Sequence, residues 1–451
     1  MSKLKLFGTD GIRGVAGKYP LDAKTVQNIG ASATKALKHD SRKALIAVGR
    51  DTRESGPIIS KNLAYSLSAS GAEVWDLGVI PTPGVAYIAK HYPVIAAAVI
   101  SASHNPYQDN GIKFFSHKGT KLSDAAEARI EKFIAAAKPR ASVKGLSRII
   151  RKPLLVNEYE GFLQSASCNN AGIKGMKLVL DCANGATSAI AEKVFSALGA
   201  EAYVINASPD GKNINKDCGS LHPEKLGLEV KKRKAYCGLA FDGDGDRVMF
   251  VDEKGIVRDG DYMLAVAAIN MKRAGKLKNN LLVTTVMANL GLFRAMEKQG
   301  IKVAQTPVGD RYVYAEMVKS GSVIGGEQSG HMIFLEHLPT GDGMLSGLKI
   351  LGIAAQSEKS FSQLCSVIEK YPQVLINTKV SAKVPVEKLK AASRSIEDAK
   401  SKLGSDGRVL VRYSGTENLL RVMIEGRDKS EINKLAQQIS DTAKEEIEKG
   451  R

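Results

Sequence analysis

Residues 94–100 read VIAAAVI, and such short apolar runs recur along the chain, each followed by a polar loop and an amphipathic stretch. A run of this length with no polar face is the pattern of a strand buried on both sides of a parallel sheet. Alternation with helical periodicity then imposes a layered α/β architecture, because each sheet face must be covered. Lys177 to Leu180, Leu281 to Val286 and Gly407 to Val411 read as further buried parallel strands. Ser123 reads as the N-cap of a helix with Ala126, Ile130, Phe133 and Ile134 on one face, and Gly71 closes a helix begun near Pro57. Three stretches share one layout of strand, Gly-rich loop, helix and strand. They predict three similar α/β domains over 1–153, 154–254 and 255–367, the first bounded by a basic linker from Ser147 to Pro153. The remainder, 368–451, has fewer such units and ends in a charged helix from Lys429 to Lys449, which predicts a smaller α+β domain.

Composition narrows the function. The 451 residues carry a formal charge of +18, which suits a phosphorylated substrate, a nucleic acid or an anionic surface. Aromatics at 6% are few for base stacking, and the run Lys231 to Lys234 reads as a solvated face. No apolar run reaches the ~20 residues of a membrane span, and residues 1–7 lack the apolar core of a secretory signal. Five cysteines (168, 182, 218, 237 and 365) show no C-x-x-C spacing, which argues against zinc or a disulfide framework and predicts a cytoplasmic protein.

Four loops carry chemistry, each after an expected strand, where open α/β sheets bind ligands. The first is Ser101-Ala102-Ser103-His104-Asn105-Pro106. It offers a nucleophile, but no G-x-S-x-G elbow is present. In an extended loop Ser103 and His104 would point apart; the competing reading is a capped turn before a helix. The second, Asp242-Gly243-Asp244-Gly245-Asp246-Arg247, clusters three carboxylates whose repulsion only a cation relieves. All-oxygen ligands favour a hard ion such as Mg²⁺ or Ca²⁺. An EF-hand fails because Arg247 stands at its required glycine and Val248 to Val251 reads as strand; a solvated acidic turn is the other reading. The third, Gly325-Gly326-Glu327-Gln328-Ser329-Gly330-His331, offers partners for vicinal hydroxyls, or is simply a polar turn. The fourth, Arg412-Tyr413-Ser414-Gly415-Thr416-Glu417 with Arg421, has the makings of a phosphate cradle, or is a turn bearing surface arginines. Together they supply the equipment for phosphoryl transfer on a sugar phosphate.

These loops, with Phe7-Gly8-Thr9-Asp10-Gly11-Ile12-Arg13-Gly14, occur in the order seen in the α-D-phosphohexomutases, and the resemblance runs from residue 7 to about residue 426. It implies three α/β domains with mixed sheets and a smaller C-terminal domain around a central active-site cleft. It implies that Ser103 is phosphorylated, primed by a sugar bisphosphate or a kinase, and that Asp242, Asp244 and Asp246 hold one Mg²⁺ with that phosphate. Glu327 and Ser329 would bind sugar hydroxyls; Arg412, Ser414, Gly415, Thr416 and Arg421 would grip the phosphate that is not transferred. Arg13, His104, Lys113, Arg247 and His331 would line the cleft, with Lys113 the first choice of general base, its pKa lowered by neighbouring cations, and the two histidines as alternatives. Ile100 to Phe115, Gly309 to Val313 and Gln328 resemble the members acting on hexosamine phosphates. Other hexose phosphates, or sugar-phosphate binding without turnover, are the alternatives. A small-molecule substrate is expected rather than nucleic acid or membrane, on a monomer or homodimer. Asn418 stands where relatives often carry proline.

Overall fold

The computed structural model describes residues 6–8, 10–38, 44–136, 149–167, 172–414 and 418–449. Thr9, Cys168, Gly415, Thr416, Glu417 and the Ser147–Arg148 part of the expected linker lie outside them.

The first sheet contains β1 (Ile12–Val15), β2 (Ala44–Arg50), β3 (Ala72–Val79), β4 (Ala96–Ile100), β5 (Asp109–Ser116) and β6 (Ile149–Arg151), in the order β1-β5-β4-β2-β3-β6. β4, β2, β3 and β6 run parallel, while β5 and β1 are antiparallel to their neighbours. The 94–100 run is therefore parallel on one side only. Its alanines let one face pack on the helices Ala23–Leu37, Gly56–Ala69 and Asp124–Ala135 and the other on Thr82–His91. Ser123 caps Asp124–Ala135 as expected, its side chain accepting from the Ala126 N–H. The expected basic linker is in part an edge strand, since Ile149–Arg151 pairs with β3.

The second sheet, β7 (Lys177–Asp181), β8 (Glu201–Ile205), β9 (Cys237–Phe241), β10 (Val248–Asp252) and β11 (Val257–Arg258), has the order β11-β10-β9-β7-β8. β9, β7 and β8 are parallel, and β10 turns back antiparallel on β9. The third, β12 (Leu281–Thr285), β13 (Lys302–Thr306), β14 (Ile324–Gly326) and β15 (Met332–Phe334), has the order β13-β12-β14-β15, parallel except for β15. All three sheets are thus mixed, and each functional loop of the first 367 residues leaves the carboxyl end of a strand with a parallel partner. No helix among the described residues is long and apolar enough to cross a membrane.

The chain forms two compact units, one of residues 1–287 and 300–367, the other of 288–299 and 368–451. The second unit holds β16 (Gln373–Lys379), β17 (Arg408–Tyr413) and β18 (Leu419–Glu425) in the order β16-β18-β17, all antiparallel. The expectation of a buried parallel strand at Gly407 to Val411 is corrected here. β17 is an antiparallel edge strand, half-buried throughout, and a short apolar run does not by itself disclose the direction of its partner. The charged helix Lys429–Lys449 packs Ile432, Ala436, Ile439, Ala443 and Ile447 into the core beside this sheet. Buried Glu425 draws the segment 288–299 into the unit, accepting from Asn289 Nδ2 and the Leu290 N–H at 3.0 Å each and pairing with Arg408 at 2.9 Å.

Candidate active site

The loop after β4 does not run extended. Ser103 has φ 51°, a left-handed conformation unusual for serine, and its N–H donates to Ser101 Oγ at 2.9 Å. This turns the Ser103 hydroxyl inward, where Oγ donates to Asp242 Oδ2 at 2.6 Å and lies 3.3 Å from His104 Nδ1. The sequence argument that Ser103 and His104 point apart fails for this reason, since it assumed extended backbone. The loop also leads into β5, not a helix.

The aspartate loop leaves β9 and is tied on both sides. The Thr82 N–H donates to Asp244 O at 2.8 Å and the Gly343 N–H to Gly245 O at 2.9 Å. Gly245 sits at φ 73°, and a side chain at Gly243 would come within 2.8 Å of Ser103 O. These glycines let the carboxylate loop lie against the serine loop. Asp242, Asp244 and Asp246 are buried, with carboxylate oxygens within 4.8 Å of one another. Burial and mutual repulsion raise Asp242 well above the ordinary aspartate range and raise Asp246. Asp244 Oδ1 and Asp246 Oδ1 are buried without a hydrogen-bond donor. Clustered, desolvated carboxylate oxygens with unused lone pairs fit a hard dication.

Cations ring this centre. Lys113 Nζ lies 3.2 Å from both Asp244 Oδ2 and Asp10 Oδ2 and 3.9 Å from Asp246. Its expected pKa depression is corrected: burial does oppose its charge, but Asp10, Asp244 and Asp246 outweigh burial and hold the ammonium well above its ordinary value. A dication on the aspartates would offset part of that field. Arg247 lies 3.7 Å from Asp246 and is likewise raised; burial opposes its charge, and Asp246 and Asp242 outweigh it. Arg13 pairs with Asp10 and reaches Asn105 Oδ1 at 3.4 Å. Burial, then Arg247 and Arg13, push His104 down to about 4, which leaves its imidazole neutral at pH 7.

The loop after β14 adds Glu327, whose Oε1 accepts from the Gly309 N–H at 3.0 Å, and half-buried Ser329. His331 bridges to Arg247 through its backbone, and its Nε2 lies 3.2 Å from Gly341 N and 3.6 Å from Asp310. Gln328 donates to Asp261 Oδ2 at 3.1 Å. The first unit therefore gathers Ser103, His104, Lys113, Arg13, the three aspartates, Arg247 and His331 from three sheets. Arg412, Ser414 and Arg421 lie on the second unit, where Arg412 and Arg421 are cross-strand partners. Burial, then Arg421, lowers the Arg412 pKa, as expected where two guanidinium groups face one another across neighbouring strands.

Sequence reasoning missed Asp10, Asp51, Arg53, Thr82, Lys121, Asn215 and Asp310. Lys121 Nζ joins Asp10 to Asp310, the latter at 2.6 Å, and Thr82 Oγ1 donates to Asp244 Oδ2 at 2.7 Å. Asp10 and Asp310 lay inside the stretches 7–14 and 309–313 without being singled out, and Asp51 and Arg53 form an acid–base pair just past the end of β2.

Models of the phosphoglucomutase/phosphomannomutase family match the chain in order: alpha/beta/alpha domain I over 4–141, domain II over 158–255, domain III over 259–371 and the C-terminal domain over 375–442. The chain belongs to the phosphoglucomutase/phosphomannomutase family. Within this family it is 45% identical to the phosphoglucosamine mutase of Geobacter sp. (strain M21), over 98% of each chain. It is 46% identical to the phosphoglucosamine mutase of Pelobacter propionicus, over 98% of this chain and 99% of that one. Among solved structures, a phosphoglucomutase/phosphomannomutase family protein from Burkholderia thailandensis superposes with a TM-score of 0.82 at 25% identity, over 99% of this chain and 98% of that one. Aspergillus fumigatus N-acetylphosphoglucosamine mutase, in complex with GlcNAc-6P and magnesium, shares the fold at 18% identity, with a TM-score of 0.70 over 98% and 96%.

One buried contact of the first unit reports on pH. Tyr159 OH donates to Asp342 Oδ2 at 2.8 Å, and Asp342 caps the helix Gly343–Ser357 through Leu345 N. Burial raises this aspartate from 3.8 to about 7 against those hydrogen bonds. Its folded value exceeds its unfolded one, so the native state holds the extra proton between those values. The contribution is full below about pH 4 and is lost as pH rises through about 7. Asp342→Asn keeps a capping oxygen and cannot ionise. Urea unfolding from pH 4 to 8 should show the wild type losing stability relative to this variant by roughly 4 kcal/mol at most; parallel pH profiles would contradict the assignment.

Proposed function

We propose that this enzyme interconverts glucosamine 6-phosphate and glucosamine 1-phosphate, the reaction its 45–46% identical relatives are named for. The observation that carries it is the buried Ser103 hydroxyl, 2.6 Å from one of three clustered carboxylates that Lys113 and Arg247 flank, with His104 Nδ1 3.3 Å away. Ser103 carries the phosphoryl group. Asp242, Asp244 and Asp246 would hold one Mg²⁺, which when bound neutralises charge on phosphoryl oxygens. The free hydroxyl oxygen of the sugar bonds to phosphorus as the P–Oγ bond of Ser103 breaks. The neutral imidazole of His104 takes the hydroxyl proton, while Lys113 and Arg247 stabilise the transferring oxygens as fixed positive charges. The bisphosphorylated sugar turns end for end and returns its other phosphoryl group to Ser103. Glu327, Ser329 and His331 hold the sugar. Arg13 orients the serine loop through Asn105. Arg412, Ser414 and Arg421, with Gly415 and Thr416, grip the phosphate that stays. A sugar bisphosphate or a kinase primes the first cycle. The magnesium and GlcNAc-6P bound by the Aspergillus mutase fit this reading, and free buried thiols at Cys182, Cys218, Cys237 and Cys365 suit a cytoplasmic setting.

Phosphorus NMR of the purified protein with Mg²⁺, a catalytic amount of glucose 1,6-bisphosphate and each hexose 6-phosphate tests the assignment. The glucosamine substrate should give the anomeric phosphate with a kcat/KM above that for glucose and mannose phosphates. Preference for either of the latter would move the activity to the phosphoglucomutase/phosphomannomutase reading, and no conversion of any would leave a binding protein.

A further inference from the structure

Four carbonyls in and just after the serine loop, those of Ser103, Asn105, Pro106 and Asp109, accept from Arg53, and the first two also accept from Asn215. Arg53, 1% exposed, donates to Ser103 O at 2.8 Å, Asn105 O at 2.9 Å and Asp109 O at 3.0 Å, and also to Pro106 O. Asp51 holds that guanidinium at 2.8 Å and accepts from Ser101 Oγ at 2.6 Å, the hydroxyl that receives the Ser103 N–H. Asn215, from the loop after β8, donates Nδ2 to the same Ser103 O at 2.9 Å and to Asn105 O at 3.1 Å. Its own N–H is bonded to Ala183 O at 2.9 Å, and its amide lies where a side chain at Gly243 would fall, 2.7 Å away.

We infer that Asn215 is a positioning residue for phosphoryl transfer: with Arg53 it locks the left-handed backbone at Ser103 and registers the serine loop against the aspartate loop. The inference rests on Ser103 as the phosphoryl carrier. Arg53 fixes the loop within its own domain. Asn215 is different, since it belongs to the domain that supplies the aspartates and so sets the distance between Ser103 Oγ and Asp242. A displacement of ~1 Å between reacting groups can cost ~10²-fold in rate.

Asn215→Ala tests this, because Arg53 still satisfies both carbonyls and the protein should fold. The expected result is a kcat reduced ~10-fold or more with KM and thermal midpoint little changed, and a matching loss in single-turnover transfer from phosphorylated Ser103 to sugar. Asn215→Asp, of equal size but with a carboxylate against two carbonyls, should fall at least as far. An unimpaired kcat in Asn215→Ala, or a loss that only tracks a lowered melting temperature, overturns the inference. Wild-type protein that turns over without phosphate on Ser103 would overturn both this inference and the function on which it rests; a phosphorylated wild type with an unimpaired variant overturns this inference alone.

Discussion

Ser103→Ala should reduce turnover by ~10³-fold or more, the scale on which loss of a nucleophile is felt, and the purified variant should lack the mass of one phosphoryl group carried by wild type. The physical case is local. Ser103 Oγ is aimed at the carboxylate cluster, bonded to Asp242 at 2.6 Å. Alanine accepts the same backbone less readily than glycine but is held by the same clamp from Arg53 and Asn215, so the fold should survive and melting should be little altered. Intact mass spectrometry with peptide mapping locates the phosphate, and steady-state assay measures the loss. Full activity in this variant would remove the phosphoenzyme from the mechanism altogether.

Asp244→Asn should cost ~10²-fold or more in kcat and flatten the dependence of rate on Mg²⁺. Asp244 Oδ2 already accepts from Thr82 and lies beside Lys113, while Oδ1 has no donor. An amide keeps the shape but withdraws a negative charge, and its nitrogen would face neighbouring carboxylate oxygens as a donor. Lys113 would also lose one of the three carboxylates that balance it. Titration with Mn²⁺ followed by electron paramagnetic resonance reads the site apart from turnover; unchanged Mn²⁺ affinity with an unchanged Mg²⁺ response would exclude Asp244 as a ligand.

Much of this architecture was legible because the informative residues sit together in sequence. Strands announce themselves as apolar runs, and the loops that follow them carry their chemistry within six or seven residues. Partners assembled from distant segments were not legible. Asn215 meets Ser103 across 112 residues and Thr82 meets Asp244 across 162. The sign of the shift at Lys113 failed for the same cause: its sequence neighbours disclose nothing of Asp10, Asp244 and Asp246, whose charges decide it. The contact between Ser103 and His104 was missed because one dihedral angle, φ 51° at Ser103, reverses the geometry that an extended loop would have. Both direction and burial at β17 were misread, because a short apolar run does not distinguish an antiparallel edge strand from a buried parallel one.

The serine loop is fastened from two domains at once, and in the proposed cycle this bears on which group travels. In that cycle the phosphoryl donor sits on a loop held by six hydrogen bonds to its carbonyls, an anvil and not a moving arm. Turning the bisphosphorylated sugar then falls to the sugar itself, so the proposed cycle must loosen its grip on the intermediate without releasing it. Leakage of that intermediate into solution, measured against turnover, becomes the quantity that tells how well the balance is kept.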